Sequence, residues 1–592
     1  MSNDPFFEPE IHSDLDRMRH STAHLLAHAV ANLYPGARFG IGPTIEDGFY
    51  YDIDIEKKLT PEDLSTIQKE MIRLKNQKQS FIREEHSISE AKALFESLGQ
   101  TFKIDILNTL EANGETKVTT YKEGNFIDLC RGPHVANTID IGAFKLQSVA
   151  GAFWRGQEGN PQLQRIYGTA FFKDTELKEH LSLIEEAKRR DHRKLGKELD
   201  LFSFHPNAPA SPFFHPRGTI LYNGLVQLMR KAYGPFKYDE VITPMILDVD
   251  LWKTSGHYEH YKDAMYFTDV DGRDFAVKPM NCPAHTFIYS AQRRSYKELP
   301  LRLADFGRLH RHERSGVTAG LTRVRTFCQD DGHIFCAVHQ IESEIHGLIQ
   351  LILSTYKLFG FTDVRICLST RPESRVGSEE LWDQSETALE NVLKSTGKAY
   401  FINKGDGAFY GPKIDFQVLD ALKRKHQLGT IQLDFNLPER FNLEYVTADN
   451  GRDRPVMIHR AVLGSIERFL GILIEHTAGV FPLWLAPTQV KLIPINDAHV
   501  NYVNDFAEKL RGLGMRVDVD ARNESMGMKV RESQTAKIPY TLAAGDRELE
   551  GTSFSVRLYG EKESKVMSQA DLLQILGENS KVPTLSQEMI QP

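Results

Sequence analysis

The sequence predicts a multidomain chain of α+β and α/β units. An α+β unit spans residues 1–190, an antiparallel β-sheet domain spans 191–484, and a compact α/β domain spans 485–592. Three observations carry this. At 592 residues the chain is long enough for three or four domains. In its middle, strand patterns follow one another with few helices between them, which favours an antiparallel sheet over a doubly wound one. In the tail, "QVKLIPIN", "MRVDVD" and "IPYTLAAG" alternate with helical segments as β-α-β-α-β.

Each element follows from local patterning. "RMRHSTAHLLAHAVANLY" repeats apolar residues at helical spacing and puts His20, His24 and His28 four apart. "GIGPTIEDGFYYDI" reads as turns running into an alternating aromatic strand, and "EDLSTIQKEMIRLKNQ" as a second amphipathic helix. "ELKEHLSLIEEAKRRDHRKLGKELDLF" predicts one charged helix leading into the next domain. "PLRLADFGRLHRHE" and "TRVRTFCQDDGHIF" read as strands joined by the loop "RSGVTAG". Arg311 and Glu313 are then expected on one strand face, and Arg323 and Arg325 on the next. "IESEIHGLIQLILSTYKLFG" is a long helix ended by Gly360. "TIQLDFNLP" alternates, which places Gln432, Asp434 and Asn436 on one face. "VMIHRAVLGSIERFLG" sets His459 at a strand-to-helix junction and Arg468 on the helix.

Composition is ordinary for a globular protein, at 41% hydrophobic and 26% charged. No apolar run reaches a membrane span; "FLGILI" is closed by Arg468 and Glu475. The acidic start "MSNDPFFEPE" is no secretory leader. Cysteines 130, 282, 328, 336 and 367 are scattered, which predicts a reduced, cytoplasmic protein. The net charge of −8 neither implies nor excludes a nucleic-acid partner, and on charge alone the basic run "KRRDHRKLGK" reads as a solvated helix face in preference to a nucleic-acid patch.

Three constellations can carry chemistry. Cys282 is held between Pro279 and Pro283 in "VKPMNCPAH". With His333 and His459 it offers one sulfur and two nitrogens, a set suited to zinc with an open position, unless the three are unrelated buried residues. "HSTAH" and "CRGPH" offer histidines and a cysteine for a metal, for acid–base work, or for nothing beyond a helix that carries histidines. Arg311, Arg323, Arg325 and Arg468 can clamp a polyphosphate or form salt-bridge ladders; no glycine-rich phosphate loop is present.

Taken together, "YDEVITPMI", "FGRLHRHE" running on to "RVRTFCQDDGHIF", and "GSIERFLG" resemble the three motifs of class II aminoacyl-tRNA synthetases. "KPMNCP", "AFYGPKIDF", "GTIQLDF", "IHRAVLGSIERF", "HSTAHLLAHAV", "LCRGPH" and "RDHRKLGKELDLF" narrow the resemblance to threonyl-tRNA synthetases, over nearly the whole chain. It implies a class II antiparallel catalytic core, an editing domain before it and an anticodon-binding domain after it. By resemblance, Cys282, His333 and His459 hold one zinc that reads the amino group and hydroxyl of threonine. Arg311 holds the α-phosphate of ATP, Glu313 contacts adenine, Arg468 binds the γ-phosphate side, and magnesium bridges the phosphates. Lys413, Gln329, Asp331, Tyr410, Gln427, Gln432 and Ser465 match positions around threonine or its adenylate. His20, His24, Cys130 and His134, with Lys103 and Asp128, match the site that hydrolyses seryl-tRNA; no zinc is expected there. Asn523, Arg531, Glu548 and Arg557 match anticodon-reading positions. His257 and Tyr261 lie in a loop that resembles the family and carry no assigned role.

The implied partners are tRNA(Thr), threonine and ATP, with no membrane. A homodimer is expected through "YDEVITPMI". Two departures are visible. "DRMRHSTAH" begins at residue 16, so the small N-terminal domain common in bacterial members is expected to be absent. "HRHERSG" places His312 and Arg314 where the family often has Asn and Pro, with altered rates as the expectation. The competing function is a catalytically inactive, synthetase-like RNA-binding regulator. A prolyl or seryl enzyme would lack the Cys-His-His set joined to "HSTAH". A zinc base deaminase needs a C-x-x-C that does not occur around Cys282.

Overall fold

The computed structural model describes residues 13–585. They form two compact units, one ending at Glu185 and the other beginning at Glu186. In the first, the helix Asp14–Leu33 is capped by Ser13, whose hydroxyl accepts from the Asp16 amide. From Met18 to Val30 every residue of this helix is buried, polar ones included. That follows from its position: Leu25, Leu26 and Val30 share a core with Phe49, Tyr51, Ile53 and Ile166 of a five-stranded sheet. A three-stranded sheet, Phe81–Ser87, Lys117–Glu123 and Phe126–Leu129, carries the helices Ile88–Ser97 and Thr101–Ala112. The charged segment after it is two helices, not the single one expected: Asp174–Arg190 and His192–Glu198. Asp191 breaks the run because its side chain caps the second helix at the Arg193 amide.

The second unit is organised on a nine-stranded sheet. Its centre is antiparallel: Leu301–Asp305, Thr326–Cys336, Val456–Ser465, Lys425–Asp434, Lys413–Leu419 and Val364–Ser369, in that order. The two outermost pairings are parallel. The helices Pro216–Tyr233, Ile341–Leu358, Glu379–Ser395 and Ile466–His476 contribute Leu225, Ile349, Leu389 and Phe469 to one core with sheet residues such as Ile334, Ile431 and Ile458. Register then sets the site: His333 and Gln432 both pair with His459, one from each side.

Three local expectations are corrected. Arg311, Glu313, Arg323 and Arg325 are not on strand faces, because the short strand Arg308–His310 ends first. The chain instead turns, with the Glu313 amide donating to the Arg311 carbonyl at 2.9 Å and Arg325 Nε donating to the Glu313 carbonyl at 2.9 Å. Asn436 is not on the strand with Gln432 and Asp434. It opens the helix Asn436–Arg440, because Asp434 Oδ1 accepts its amide at 2.7 Å. His459 lies within the strand Val456–Ser465, not at its junction with the helix.

The tail holds a five-stranded mixed sheet. Val490–Pro494 pairs in parallel with Val517–Val519 and Tyr540–Ala544, the β-α-β-α-β part that the alternation predicts. Ser553–Leu558 and Lys565–Ser568 then extend it antiparallel.

Candidate active site

One cavity of about 910 Å³ opens over the central strands. It is lined by Arg311, Glu313, Lys413 and Arg468, by Gln329, Asp331, Tyr410, Gln427, Gln432 and Ser465, and by Cys282, His333 and His459. The fold thus gathers every residue expected around ATP, threonine and a metal.

At its floor, one donor atom from each of Cys282, His333 and His459 lies within 4.8 Å of the others, and all three residues are buried. Cys282 is the first residue of the helix Cys282–Ser290, followed by Pro283, which needs no amide partner there. Burial, together with the charges of Asp331 and Asp434, pushes the Cys282 thiol well above its ordinary value. Burial and the nearby His285 hold His333 neutral. A thiol and two imidazoles converging at buried positions fit a borderline-soft divalent cation, whose charge would reverse the preference for the thiol. His459 Nε2 is engaged by Asp434 Oδ2 at 2.9 Å, which leaves Nδ1 as its free donor.

The walls are preset by hydrogen bonds. Tyr410 donates its hydroxyl to Gln432 Oε1 at 2.7 Å. Asp331 accepts from Asn281 Nδ2 at 3.1 Å and from the Gly332 amide at 3.1 Å. Ser465 caps the helix Ile466–His476 by accepting the Arg468 amide at 3.1 Å. Arg311 donates Nε to the Pro279 carbonyl at 3.2 Å and sits over the Phe327 and Tyr261 rings, 4.9 and 5.4 Å from their centres. Glu313 pairs with Arg323 at 3.0 Å.

Residue-type reasoning missed several partners. Asp415 binds Lys413 Nζ at 3.0 Å, Gln427 Nε2 at 2.6 Å and Thr430 Oγ1 at 3.0 Å. Its position two after Lys413 on one strand was the available signal. His257, fully buried, accepts or donates to Ser255 Oγ at 2.8 Å and lies 3.8 Å from Cys282 Sγ.

The first unit has its own cluster. Donor atoms of His20, His24, Cys130 and His134 lie within 4.8 Å of one another. Cys130 Sγ is 3.4 Å from His20 Nε2 and 3.3 Å from His134 Nε2. Lys103 Nζ pairs with Asp128 Oδ1 at 2.5 Å, and Asp128 Oδ2 is 3.7 Å from His24 Nδ1. Tyr51, unassigned from sequence, donates its hydroxyl to Asp128 and accepts from Lys103 at 3.2 Å. A cavity of about 360 Å³ is lined by His24, Tyr51, Lys103, Asp128 and Cys130. Burial and the neighbouring histidines hold His24 and His134 far below the ordinary histidine value, so both are neutral bases at pH 7.

In the tail, Asn523 is exposed in a loop and Arg531 is exposed on the helix Met526–Thr535. Glu548, half-buried, caps the Gly545 amide at 3.0 Å, and Arg557 is half-buried on the strand Ser553–Leu558. No described helix is long and apolar enough to cross a membrane.

Comparison with known proteins agrees across the chain. The family model for the tRNA synthetase class II core domain (G, H, P, S and T) matches residues 266–477. An anticodon binding domain matches 489–579, and the threonyl and alanyl tRNA synthetase second additional domain matches 118–167. The threonine–tRNA ligase of Desulforamulus reducens is 50% identical over 555 residues, which is 94% of this chain and 87% of that protein. Threonine–tRNA ligase 2 of Bacillus subtilis is 50% identical over 551 residues, 93% of this chain and 86% of that one. A crystal structure titled as the RNA binding domain of threonyl-tRNA synthetase from Cryptosporidium parvum superposes with a TM-score of 0.65 at 43% identity, covering 67% of this chain and 100% of that one.

Proposed function

The chain belongs to the threonyl-tRNA synthetase family, and from that premise we propose how its residues carry out the ligase and editing reactions. The reaction is ATP-dependent attachment of threonine to tRNA through a threonyl-adenylate, with hydrolytic editing of mischarged seryl-tRNA.

The observation that carries the residue-level reading is the convergence of Cys282, His333 and His459 in the same cavity as Arg311 and Arg468. Cys282, His333 and His459 would hold one zinc. When bound, it supplies a Lewis-acid position completed by the amino group and hydroxyl of threonine. Valine is nearly isosteric but lacks the hydroxyl, and a site built for a hydroxyl rejects it strongly. Asp331 faces the amino group as a fixed acceptor. Gln329, Gln432 and Tyr410 close around the side chain. Arg311, fixed by Pro279 and the two rings, presents its outer guanidinium edge to the α-phosphate, with Arg468 toward the γ-phosphate and Glu313 toward adenine. Magnesium accompanies ATP. Threonine's carboxylate attacks the α-phosphorus and pyrophosphate leaves; Arg311 and Lys413 meet the charge that builds there. The terminal ribose hydroxyl of tRNA then attacks the acyl carbon and AMP leaves. Gln427 and Ser465 support the adenylate.

Serine passes a hydroxyl test and lacks only a methyl, worth about 1–3 kcal/mol, so a second site is required. His20, His24, Cys130 and His134, with Lys103 and Asp128, position water against the seryl ester. Asn523, Arg531, Glu548 and Arg557 read anticodon bases, whose edges are open in a single-stranded loop. The enzyme works in the cytoplasm as a homodimer, joined through the segment around Tyr238–Ile246. The inactive-regulator reading is disfavoured because the metal donors and both phosphate-facing arginines are all retained.

The test is charging of tRNA with threonine, serine and valine, with metal content measured on the same sample. Threonine charging with one zinc per chain is expected; no charging by any amino acid, with or without zinc, would move the chain to the regulator class.

A further inference from the structure

Behind the three metal donors runs a buried polar chain that the reaction, as described, does not use. His285 Nδ1 lies 2.8 Å from His333 Nδ1, and His285 Nε2 lies 3.4 Å from Asp305 Oδ2. The same carboxylate oxygen accepts from Thr243 Oγ1 at 2.9 Å. Lys278 Nζ donates to Thr243 Oγ1 at 2.7 Å and sits 3.7 Å from Asp305. His285 is 0% exposed, Lys278 1% and Asp305 2%. Groups this polar are buried only at a cost unless each is matched, and here each is.

The chain leaves His333 one nitrogen to offer. Two imidazole nitrogens at hydrogen-bond distance share one proton: bare lone pairs would repel, and two N–H groups would collide. Nδ1 of His333 is therefore taken up by His285, whose Nε2 in turn faces the Asp305 carboxylate. What His333 presents to a metal is Nε2.

The geometry points to His285 and Asp305 as positioning residues that hold the ring of His333 by its Nδ1, so that Nε2 is the ligating atom. This rests on the zinc reading of Cys282, His333 and His459. It divides the labour at the site: Asp434 orients His459, and the Asp305–His285 pair orients His333. Ligating histidines characteristically give their second nitrogen to such a partner, and loss of the partner costs roughly 10–100-fold in metal affinity.

The experiment measures zinc affinity by chelator competition on the full chain, together with the visible absorption of the cobalt-substituted protein and a melting curve. Wild type is compared with His285→Leu, His285→Asn and Asp305→Asn. His285→Leu should weaken zinc binding by roughly 10–100-fold and alter the cobalt spectrum, with ATP affinity unchanged. His285→Asn places an amide oxygen near the lost Nδ1 and should restore most of the affinity. If His285→Leu does not fold, Asp305→Asn, which keeps the volume, should still weaken zinc binding. Wild-type affinity in folded His285→Leu or in Asp305→Asn would overturn the proposal. So would equal losses in the Leu and Asn variants, which would make His285 a packing residue. A wild-type chain that holds no zinc would instead overturn the metal reading beneath it.

Discussion

Asp434 and His459 are joined across neighbouring antiparallel strands, Oδ2 to Nε2 at 2.9 Å, with both residues buried. The second oxygen of Asp434 accepts the Asn436 and Leu437 amides at 2.7 and 3.0 Å. One carboxylate therefore aims a metal donor and starts a helix. Asp434→Asn keeps the size and puts a donor where only acceptors fit. It should cost about 1–3 kcal/mol in urea unfolding and roughly 10–100-fold in zinc affinity. Retention of wild-type zinc affinity would show that His459 needs no such partner.

Arg311 is held at Nε by a backbone carbonyl and packed over two rings, so only its outer edge is available to a phosphate. Lysine can neither make the first contact at the same geometry nor present two parallel donors. Arg311→Lys should lower ATP–pyrophosphate exchange by about 10²–10³-fold, the usual cost of one charge-stabilising donor. Threonine binding to the zinc-loaded enzyme should hold.

The His20–His24–Cys130–His134 cluster and the larger cavity lie in separate compact units. Cys130→Ala combined with His134→Ala should slow hydrolysis of seryl-tRNA by about 10²–10⁴-fold while threonine charging stays near wild type. A matching loss of charging would mean the substitutions disturb more than editing.

The buried histidines of that cluster set a pH dependence. In the native state His24 and His134 stay neutral well below the ordinary value, whereas the unfolded chain binds a proton at each near pH 6.5. The unfolded state therefore holds more protons as pH falls, and stability rises with pH through this window. The urea midpoint should be lower at about pH 5.5 than at about pH 7.5, and substituting both histidines with glutamine should shrink that difference. A pH-independent midpoint would contradict the neutral assignment.

His192 ties three segments together: Nε2 accepts the Leu321 amide at 2.9 Å, Nδ1 donates to Glu475 Oε1 at 2.6 Å, and its own amide donates to the same oxygen at 3.0 Å. Leu321 lies in the loop between His310 and Thr326 that carries Arg311 and Glu313. His192→Phe leaves the Leu321 amide and a carboxylate short of a partner. It should cost about 1–3 kcal/mol and raise the KM for ATP more than that for threonine. Equal KM values in variant and wild type would mean the loop is held by other contacts.

Much of the fold was legible because its signals are local. The helix Asp14–Leu33 declared itself by apolar spacing, and the tail by its alternation of strands and helices. The donor sets were legible for a different reason: the residue types that bind zinc or move protons are few, and their surrounding motifs resemble one family throughout.

What the sequence by itself determined, then, is which side chains this protein has to work with and where the long regular elements run. Only the tertiary structure decided which of them meet. Periodicity reports neighbours two to four residues away, whereas His333 reaches His459 through strand register set by helices packed beneath the sheet. Asp305, Thr243 and Lys278 lie in or beside quoted motifs, yet their separation along the chain hides that they meet. They become a chain ending on His285 and His333 because the fold buries them within hydrogen-bond reach of one another. The loop that ends the Arg308–His310 strand shows the converse: local alternation put Arg311 and Glu313 on a strand, and a side-chain contact from Arg325 took the backbone elsewhere.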